Sequence, residues 1–413
     1  MQNYIVRMPD RAEMARVLRM MTATEPGAHT MALGAGRKRP HRSKTRPDLL
    51  VGALDEGEIR ALERDGAEVY EDFALAPMAA SAREYWRGPV DPASAAAGRS
   101  LTDVLEHIRV VDAWRVTRGA GVTIAVVDTG ICGEIAEFPL ARRSPIDLPT
   151  AFAGDHWNDT QGHGSMCAAI AAAGTTEGGR YDGVAPGATL LAARTTLMAT
   201  DLFDIYDELV DLKRSGAIGP LVISNSYGLY TCGPTGVPPD HPYLEIVLAA
   251  IDEGVPVVFA AGNNHFDVAC NHDPSACAPS TIWAINSHDR VISVGTVNRD
   301  NSNRDTATPH VNSSRGPGEW AVDLPKPDCV APTYGEVVWG CGYRIMDWWG
   351  TSGACPQVAG LAALLLAANP LLSPASIADM IRGTCRDIGA PATCVGHGLI
   401  DCAAAVEMAT AVA

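Results

Sequence analysis

The chain contains the run Gly350-Thr351-Ser352-Gly353-Ala354-Cys355-Pro356-Gln357-Val358-Ala359-Gly360, after which apolar residues continue to position 368. A turn of small residues leads into an apolar helix, with the nucleophilic side chain of Cys355 at the junction. A thiol in the first turn of a helix lies beside unpaired N–H groups, which favour its anion. Pro356 suits the same turn because it has no N–H to leave unpaired. The run therefore predicts the nucleophile of an acyl-transfer reaction.

Length and composition are those of a folded protein with more than one unit. The 413 residues are enough for one large domain and a smaller one. A hydrophobic share of 47% with 19% charged residues excludes general disorder. The net charge of −16 argues against nucleic acid as a partner. Residues 1–78 balance 12 basic against 12 acidic side chains, so the whole acidic excess lies in residues 79–413.

The apolar run of residues 358–368 is about half the length of a membrane span, so it predicts a buried core helix and no membrane span. No charged start followed by an apolar stretch is visible at the N-terminus, which indicates no secretory signal. This favours a cytoplasmic protein unless a signal has been removed.

The 11 cysteines leave two alternatives open. Free buried thiols are expected of a chain without a secretory signal. Apart from Cys355, however, ten cysteines are left, and an even number is compatible with a disulfide framework. Cys270 and Cys277, which share one loop-like stretch, are the first pair to consider. No cysteine or histidine spacing is typical of zinc, so no metal site of that kind is expected.

The residue patterns divide the chain into three parts. Residues 1–78 predict a small α+β unit, with strands at 4–8, 49–54 and 67–75 and helices at 11–21 and 56–65. Residues 79–104 read as a linker, rich in Ala, Gly, Pro and Ser as far as residue 100. Residues 105–413 form the main domain.

In the main domain short apolar strands alternate with helices. The strands are expected at residues 122–127, 190–193, 221–224, 255–260, 291–294 and 327–330, and the helices at 163–173, 202–215, 243–253, 355–368 and 373–383. This alternation predicts an α/β fold: a doubly wound, mostly parallel sheet with helices on both faces. Ligands of such sheets bind outside the carboxyl ends of the strands.

Three polar residues stand at such ends. Asp128 closes a buried strand, His163 lies between Gly162 and Gly164 at a helix start, and Asn263 follows another strand. Taken singly, the aspartate could cap a helix, the histidine could lie on the surface and the asparagine could make a turn. Taken together, they supply an acid, a base and an amide donor for an oxyanion.

With Cys355 these pieces resemble the subtilisin-like serine proteases (subtilases), in which the acid, the histidine, the oxyanion asparagine and the nucleophile follow one another in this order. Ile223-Ser224-Asn225-Ser226-Tyr227-Gly228 resembles the strand that lines the primary specificity pocket of the family. Segments 183–188, 313–317, 326–332 and 396–401 also match, so the resemblance covers roughly residues 105–408.

The resemblance implies a role for each matched residue. Asp128 orients the imidazole, His163 is the general base and then the general acid, and Asn263 donates to the oxyanion together with the backbone N–H of Cys355. The peptide is expected to lie between two extra strands, formed by Ser226, Tyr227 and Gly228 and by Ala260, Ala261 and Gly262.

Cys355 departs from the family, which has serine there and methionine at Gly353. Three explanations are open: a Ser→Cys substitution that slows self-cleavage, a natural cysteine variant, and an inactive homologue. The expected function is a serine-type endopeptidase that hydrolyses peptide bonds through a covalent acyl-enzyme. The alternatives are a peptide-binding pseudoprotease and a cysteine-type acyl-transferase or ligase.

Residues 3–78 resemble the propeptide that precedes many subtilases, which assists folding and inhibits the protease with its tail, here residues 71–78. Maturation would cut just after this tail or within the linker, as far as about Ser100. The alternative is a permanently attached accessory domain. The expected partners are a peptide or protein substrate and the chain's own propeptide. No cofactor is expected; calcium sites are common in the family, but no loop here has a ligand spacing that assigns one.

Overall fold

The computed structural model describes residues 2–9, 14, 17, 38–77, 100–266, 270–297, 307–321, 323–346 and 348–412. The helix expected at residues 11–21 lies outside these ranges apart from Met14 and Val17, which are helical and buried. The linker over residues 79–99, with the expected maturation site, also lies outside them.

The described residues among 2–77, here called the N-terminal unit, include an antiparallel sheet and a helix. The strands are β1 (Gln2–Arg7), β2 (His41–Arg42), β3 (Leu49–Leu54) and β4 (Glu68–Glu71), in the order β2-β3-β1-β4, with helix α1 at Glu56–Arg64. A last strand, β5 (Ala76–Pro77), leaves this sheet. Helix α1 starts where expected because Asp55 and Glu58 form a capping box.

The remaining described residues form the main domain, which is built on six parallel strands. They are β6 (Thr123–Asp128), β7 (Thr189–Arg194), β8 (Leu221–Asn225), β10 (Val257–Ala260), β11 (Ile292–Val297) and β12 (Cys329–Pro332), in the order β12-β11-β10-β8-β6-β7. Strand residues alternate between two cores: Ile124 and Val126 face one, Ala125 and Val127 the other. The doubly wound α/β fold predicted from the sequence is confirmed.

Helices cover both faces of this sheet. One face carries α2 (Leu101–His107), α3 (Val110–Ala113), α4 (His163–Ala172), α7 (Gly350–Ala368), α8 (Pro374–Thr384) and α10 (Cys402–Ala411); the other carries α5 (Ala199–Arg214) and α6 (Pro242–Asp252). The shorter elements are β9 (Tyr227–Gly228), the hairpin β13 (Gly335–Trp339) and β14 (Gly342–Met346), helix α9 (Ala392–Val395), and 3-10 turns at Leu140–Arg142 and Ala284–Ser287.

Helix α7 starts earlier than the sequence predicts, at Gly350 rather than at Cys355. Gly350 has a φ of 70°, in the left-handed region that glycine adopts without strain, so it forms the turn into the helix. Pro356 accordingly lies inside the helix. By length and composition α7 could cross a membrane, but 89% of its most apolar window is buried, as expected of a core helix.

The N-terminal unit packs on helices α5 and α6. On the inner face of its sheet, Ile5, Leu49 and Val51 belong to the same apolar cluster as the side chains of these helices. On the outer face, Val6 and Leu50 pack in a separate core with residues of α1. Both faces of the small sheet are therefore buried, one of them against the main domain.

Ion pairs and hydrogen bonds surround this apolar contact, and several of the carboxylates come from the main domain. Asp207 of α5 accepts hydrogen bonds from Ser43 Oγ (2.8 Å) and from the backbone N–H groups of Lys44 (2.7 Å) and Thr45 (3.0 Å). Further pairs are Lys38 with Asp201 and Asp204, and Arg7 and Arg46 with Glu245. The acidic excess predicted for the main domain thus meets basic side chains of the N-terminal unit.

Six cysteines form three disulfides: Cys132–Cys341, Cys232–Cys270 and Cys277–Cys394. The pairing of Cys270 with Cys277 is therefore wrong, because each has a partner distant in sequence. The expectation of free thiols holds for the other five, Cys167, Cys329, Cys355, Cys385 and Cys402. Cys132–Cys341 fastens the β13–β14 hairpin to the loop after β6.

Candidate active site

Asp128 and His163 meet at the carboxyl edge of the sheet. Strand β6 ends at Asp128 and helix α4 begins at His163, and His163 Nδ1 lies 2.6 Å from Asp128 Oδ1. Both side chains are buried. Because a carboxylate only accepts, Nδ1 carries the proton and Nε2 is left as the acceptor. No residue in the described ranges bonds to this buried Nε2.

Asp159 ties the loop before α4 to the residue that follows Asp128. Its carboxylate accepts from Gly162 N (2.8 Å), from Ser165 N (2.9 Å) and from Thr129 Oγ1 (3.0 Å). It thereby caps the first turn of α4 and links that turn to the end of β6. Asp159 was not predicted from the sequence; the available signal was an acidic residue just before a predicted helix start.

Cys355 is not at the site, so its prediction as the nucleophile is wrong. Its Sγ points to the sheet, 3.5 Å from the carbonyls of Asn225 and Val258 and 3.7 Å from Ser224 Oγ. Burial raises the pKa of this thiol to about 11 instead of lowering it. With α7 starting at Gly350, Cys355 lies in the second turn, where its N–H belongs to the helical hydrogen bonds and cannot serve an oxyanion.

Ser352 occupies the position expected of Cys355. It lies in the first turn of α7, and its Oγ donates to Ser226 O at 3.0 Å, while Ser226 Oγ donates back to Ser352 O at 3.0 Å. Cys167 Sγ is 3.6 Å from Ser352 O and 3.9 Å from His163 Nδ1, which places this turn beside the histidine. Ser352 was missed in the sequence; Gly350, as the turn into the helix, was the signal.

Asn263, the predicted oxyanion donor, lies against the start of α7. Its Oδ1 accepts from Thr351 N (3.0 Å) and Thr351 Oγ1 (2.9 Å). Because a backbone N–H can only donate, the atom facing Thr351 must be the oxygen, and this fixes the orientation of the amide. Nδ2 then points the other way, 3.4 Å from the hydroxyl of Tyr230.

An extended segment of the N-terminal unit leads toward this place. Strand β5 pairs antiparallel with β9, Ala76 with Gly228 and Pro77 with Tyr227. On its other side, the N–H of Leu75 donates to the carbonyl of Leu197 at 2.9 Å. The structure thus brings a peptide strand to Tyr227 and Gly228, two of the residues predicted to bind one.

The second predicted flank is wrong. The main-chain groups of Ala260, Ala261 and Gly262 already bond within the main domain, to Asn286 Nδ2 (2.8 Å), Val294 O (2.9 Å), Thr351 Oγ1 (3.2 Å) and Ser314 N (2.8 Å). The second flank is instead formed by residues 197–199, which were not predicted: Ala199 N donates to Phe73 O at 2.9 Å, and Met198 bridges Ala74.

The β13–β14 hairpin packs beside His163. The Trp339 ring meets the His163 ring edge-on, with 6.4 Å between centroids, and Gly340 N donates to Gly162 O at 3.2 Å. This hairpin is the one fastened by Cys132–Cys341. Its contribution was invisible in the sequence because it depends on a contact between distant segments.

Asp128, His163 and Cys167 offer ligand atoms within 4.8 Å of one another, close enough to suggest a metal site. The chemistry does not fit a metal well. A hydrogen bond already joins Asp128 to His163, and burial raises the pKa of Cys167 well above its usual value, so the thiol is protonated. The cluster therefore orders an imidazole with its own hydrogen bonds.

Similarity to known proteins agrees with this geometry. The sequence profile of the subtilase family matches residues 119–398. Mycosin-4 of Mycobacterium tuberculosis is 30% identical over 71% of this chain and 66% of its own length. Subtilisin DY of Bacillus licheniformis is 30% identical over 70% of this chain and 92% of its own length.

Solved structures share the fold. The crystal structure of MycP1 with the N-terminal propeptide removed has a TM-score of 0.55 and 26% identity, covering 73% of this chain and 96% of that one. Fervidolysin from Fervidobacterium pennivorans has a TM-score of 0.63, and the match covers 98% of this chain and 61% of that one. Because the identity is only 19%, this likeness shows the fold alone.

The matched part of the chain spans 66% of mycosin-4 and 48% of a calcium-dependent protease of Nostoc, which is 29% identical. The profile match nevertheless extends over most of the main domain and includes Asp128, His163, Asn263 and Ser352. The chain belongs to the subtilase family.

Proposed function

We propose that this chain is a serine-type endopeptidase whose nucleophile is Ser352. The observation that supports this most strongly is the register of β5 on β9. In a peptide bound as β5 is, the residue after the one paired with Tyr227 lies opposite Ser226. The Ser226 carbonyl accepts the hydroxyl of Ser352. The Ser352 hydroxyl therefore lies beside the peptide bond that follows the residue opposite Ser226, which is the bond to be cleaved.

The reaction follows from the placement of the groups. Ser352 Oγ attacks the scissile carbonyl while His163 Nε2 takes its proton, and Asp128 stabilises the imidazolium that forms. The oxyanion receives hydrogen bonds from Asn263 Nδ2 and from the N–H of Ser352, one of the N–H groups left unpaired in the first turn of α7. The imidazolium then protonates the leaving amine, and water hydrolyses the acyl-enzyme with His163 as base.

The substrate is held mainly by its main chain, as a strand between β9 and residues 197–199. In this structure residues 73–77 stand in for the part of a substrate that precedes the scissile bond. Leu75 and Phe73 pack in the apolar cluster of the main domain, so apolar side chains suit those positions. Leu75 would be the fourth residue before the scissile bond.

The same segment makes the N-terminal unit an intramolecular inhibitor. It fills the strand position of a substrate, and the unit that carries it is held by an apolar contact and by the carboxylates of α5 and α6. We infer a zymogen that matures by cleavage between about residues 78 and 100. The three disulfides favour an oxidising compartment for the folded enzyme.

Two reagents applied to the full chain test the proposal. A fluorophosphonate is expected to label Ser352 and to stop both self-cleavage and peptide hydrolysis. A thiol alkylating agent, applied without denaturant, is expected to leave activity unchanged because Cys355 and Cys167 are buried. The measurements are the intact mass of the chain and the labelled peptide after digestion.

Labelling of a cysteine together with loss of activity would contradict Ser352 as the nucleophile. A chain that binds peptides, takes up no fluorophosphonate and cleaves nothing would be the pseudoprotease instead. A chain that cleaves peptides but never loses residues 1–78 would carry a permanent accessory domain.

Gly164→Ala is expected to lower kcat/KM by about 10²-fold or more. A Cβ at this position would lie 2.1 Å from Gly130 O, so the backbone beside His163 must move away from Asp128. A displacement on the order of 1 Å costs roughly this factor. Steady-state kinetics on a fluorogenic peptide measure the loss. Gly219→Ala is the control, since a Cβ there meets nothing within 4 Å; equal kinetics of the two variants would contradict the prediction.

A further inference from the structure

Tyr230 has no role in the proposed mechanism, yet its hydroxyl lies between the bound strand and the oxyanion donor. It donates to Pro77 O at 3.1 Å and accepts from Asn263 Nδ2 at 3.4 Å. One phenol thus joins a carbonyl of the segment that stands in for substrate to the amide that would bind the oxyanion.

The loop that carries Tyr230 is fastened immediately after it. The carbonyl of Thr231 accepts the indole N–H of Trp283 at 2.8 Å, and Cys232 is bonded to Cys270. The ring itself packs against the apolar core of the main domain. The hydroxyl is therefore held at a fixed place beside β9, as a group that positions a substrate must be.

The hydrogen bond from Tyr230 involves the main chain of the peptide and not its side chains. Pro77, opposite Tyr227, has no N–H, and the atom that Tyr230 contacts is its carbonyl oxygen. Every residue offers this acceptor, so any peptide bound in the same register would meet the hydroxyl. In the proposed register this is the carbonyl of the second residue before the scissile bond.

We propose that Tyr230 is a substrate-binding and positioning residue of this protease. It donates to the carbonyl of the second residue before the scissile bond and accepts from the amide of Asn263. Through these two hydrogen bonds, Tyr230 fixes the position of the bound peptide relative to the amide of Asn263 before the reaction. The inference rests on the proposed function and extends it by a contact that binds substrate and orients the oxyanion site.

The kinetic test compares Tyr230→Phe with the unchanged chain on two matched fluorogenic peptides. One has normal amides; in the other, the carbonyl of the second residue before the scissile bond is a thiocarbonyl, a weaker acceptor. With the amide peptide, Tyr230→Phe is expected to lower kcat/KM by about tenfold, the scale of one hydrogen bond. With the thioamide, the loss is expected to be about twofold or less.

Tyr343→Phe is the control, because it removes a hydroxyl that bonds to Glu137, away from the bound strand. A Tyr230→Phe variant as active as the unchanged chain on the amide peptide overturns the proposal. So does an equal loss on both peptides, since that would indicate packing of the ring. A smaller effect of Tyr230→Phe in an Asn263→Ala background is the expected sign that the two groups act together.

A second measurement does not need activity. In the uncleaved full chain carrying Ser352→Ala, Tyr230→Phe is expected to speed hydrogen exchange of the Leu75 amide, which is bonded to Leu197 O, by several-fold. Unchanged exchange would show that Tyr230 does not hold the strand. If no variant hydrolyses any peptide but the exchange accelerates, the proposed protease function fails while the contact of Tyr230 with the strand stands.

Discussion

Ser352→Ala is expected to abolish self-cleavage and to lower kcat for peptide hydrolysis by about 10⁶-fold, the scale measured on removing the nucleophile of subtilisin itself. The reason is geometric: Ser352 lies in the first turn of α7, beside His163 and opposite the end of the bound strand. The full chain should keep its original mass on incubation. Its melting temperature should change by only a few degrees, since a single hydroxyl is lost.

Cys355→Ser is the matched variant on the same helix and separates the two candidate nucleophiles. Its thiol points into the core, toward Ser224 Oγ and the carbonyls of Asn225 and Val258, so activity should stay within about threefold of the unchanged chain. A large gain of activity in Cys355→Ser, with Ser352→Ala still active, would restore the cysteine as the reacting residue and contradict the proposed mechanism.

Asp128→Asn is expected to lower kcat by about 10⁴-fold with little change in KM, as the same change does in other proteases with this triad. Asp128 Oδ1 accepts a hydrogen bond from His163 Nδ1, with 2.6 Å between the oxygen and the nitrogen, and so keeps the proton on Nδ1. An amide can present an N–H to that nitrogen instead, which stabilises the tautomer with the proton on Nε2. Nε2 then has no lone pair to accept the proton of Ser352.

Steady-state kinetics and thermal unfolding of Asp128→Asn check this prediction. Asp379→Asn is a suitable control because that carboxylate is largely exposed on α8, where it pairs with Arg382. A loss of kcat accompanied by a large fall in melting temperature would indicate damage to the fold. An Asp128→Asn variant with normal kcat would show that the pair is not catalytic.

Structural features that follow from local patterns were predicted correctly. The apolar strands and their alternation with helices were enough for the α/β sheet, because a buried parallel strand requires a continuous apolar run. Asp128, His163 and Asn263 could be placed at one edge because each follows a strand or begins a helix on the sheet. The α1 helix and the strands of the N-terminal unit were likewise visible as local periodicity.

The error at Cys355 came from one helix boundary. Placing the start of α7 at residue 355 puts the thiol in the first turn, whereas the start at Gly350 turns it into the core. A helix rotates by about 100° for each residue, so a shift of a few residues changes which face a side chain occupies.

Chain order and periodicity were thus sufficient for the family, the sheet and three of the polar groups at its edge, because these depend on neighbours in sequence. Only the folded chain revealed the place of Ser352, the strand formed by residues 197–199, the Trp339 contact, the disulfide partners and the position of Tyr230. Each of them depends on contacts between segments far apart in sequence. These contacts are determined by side-chain packing and by the residue at which α7 starts. In the run from Gly350 to Gly360, composition indicates a reactive helix start, and the three-dimensional packing places Ser352 in the first turn and Cys355 in the core.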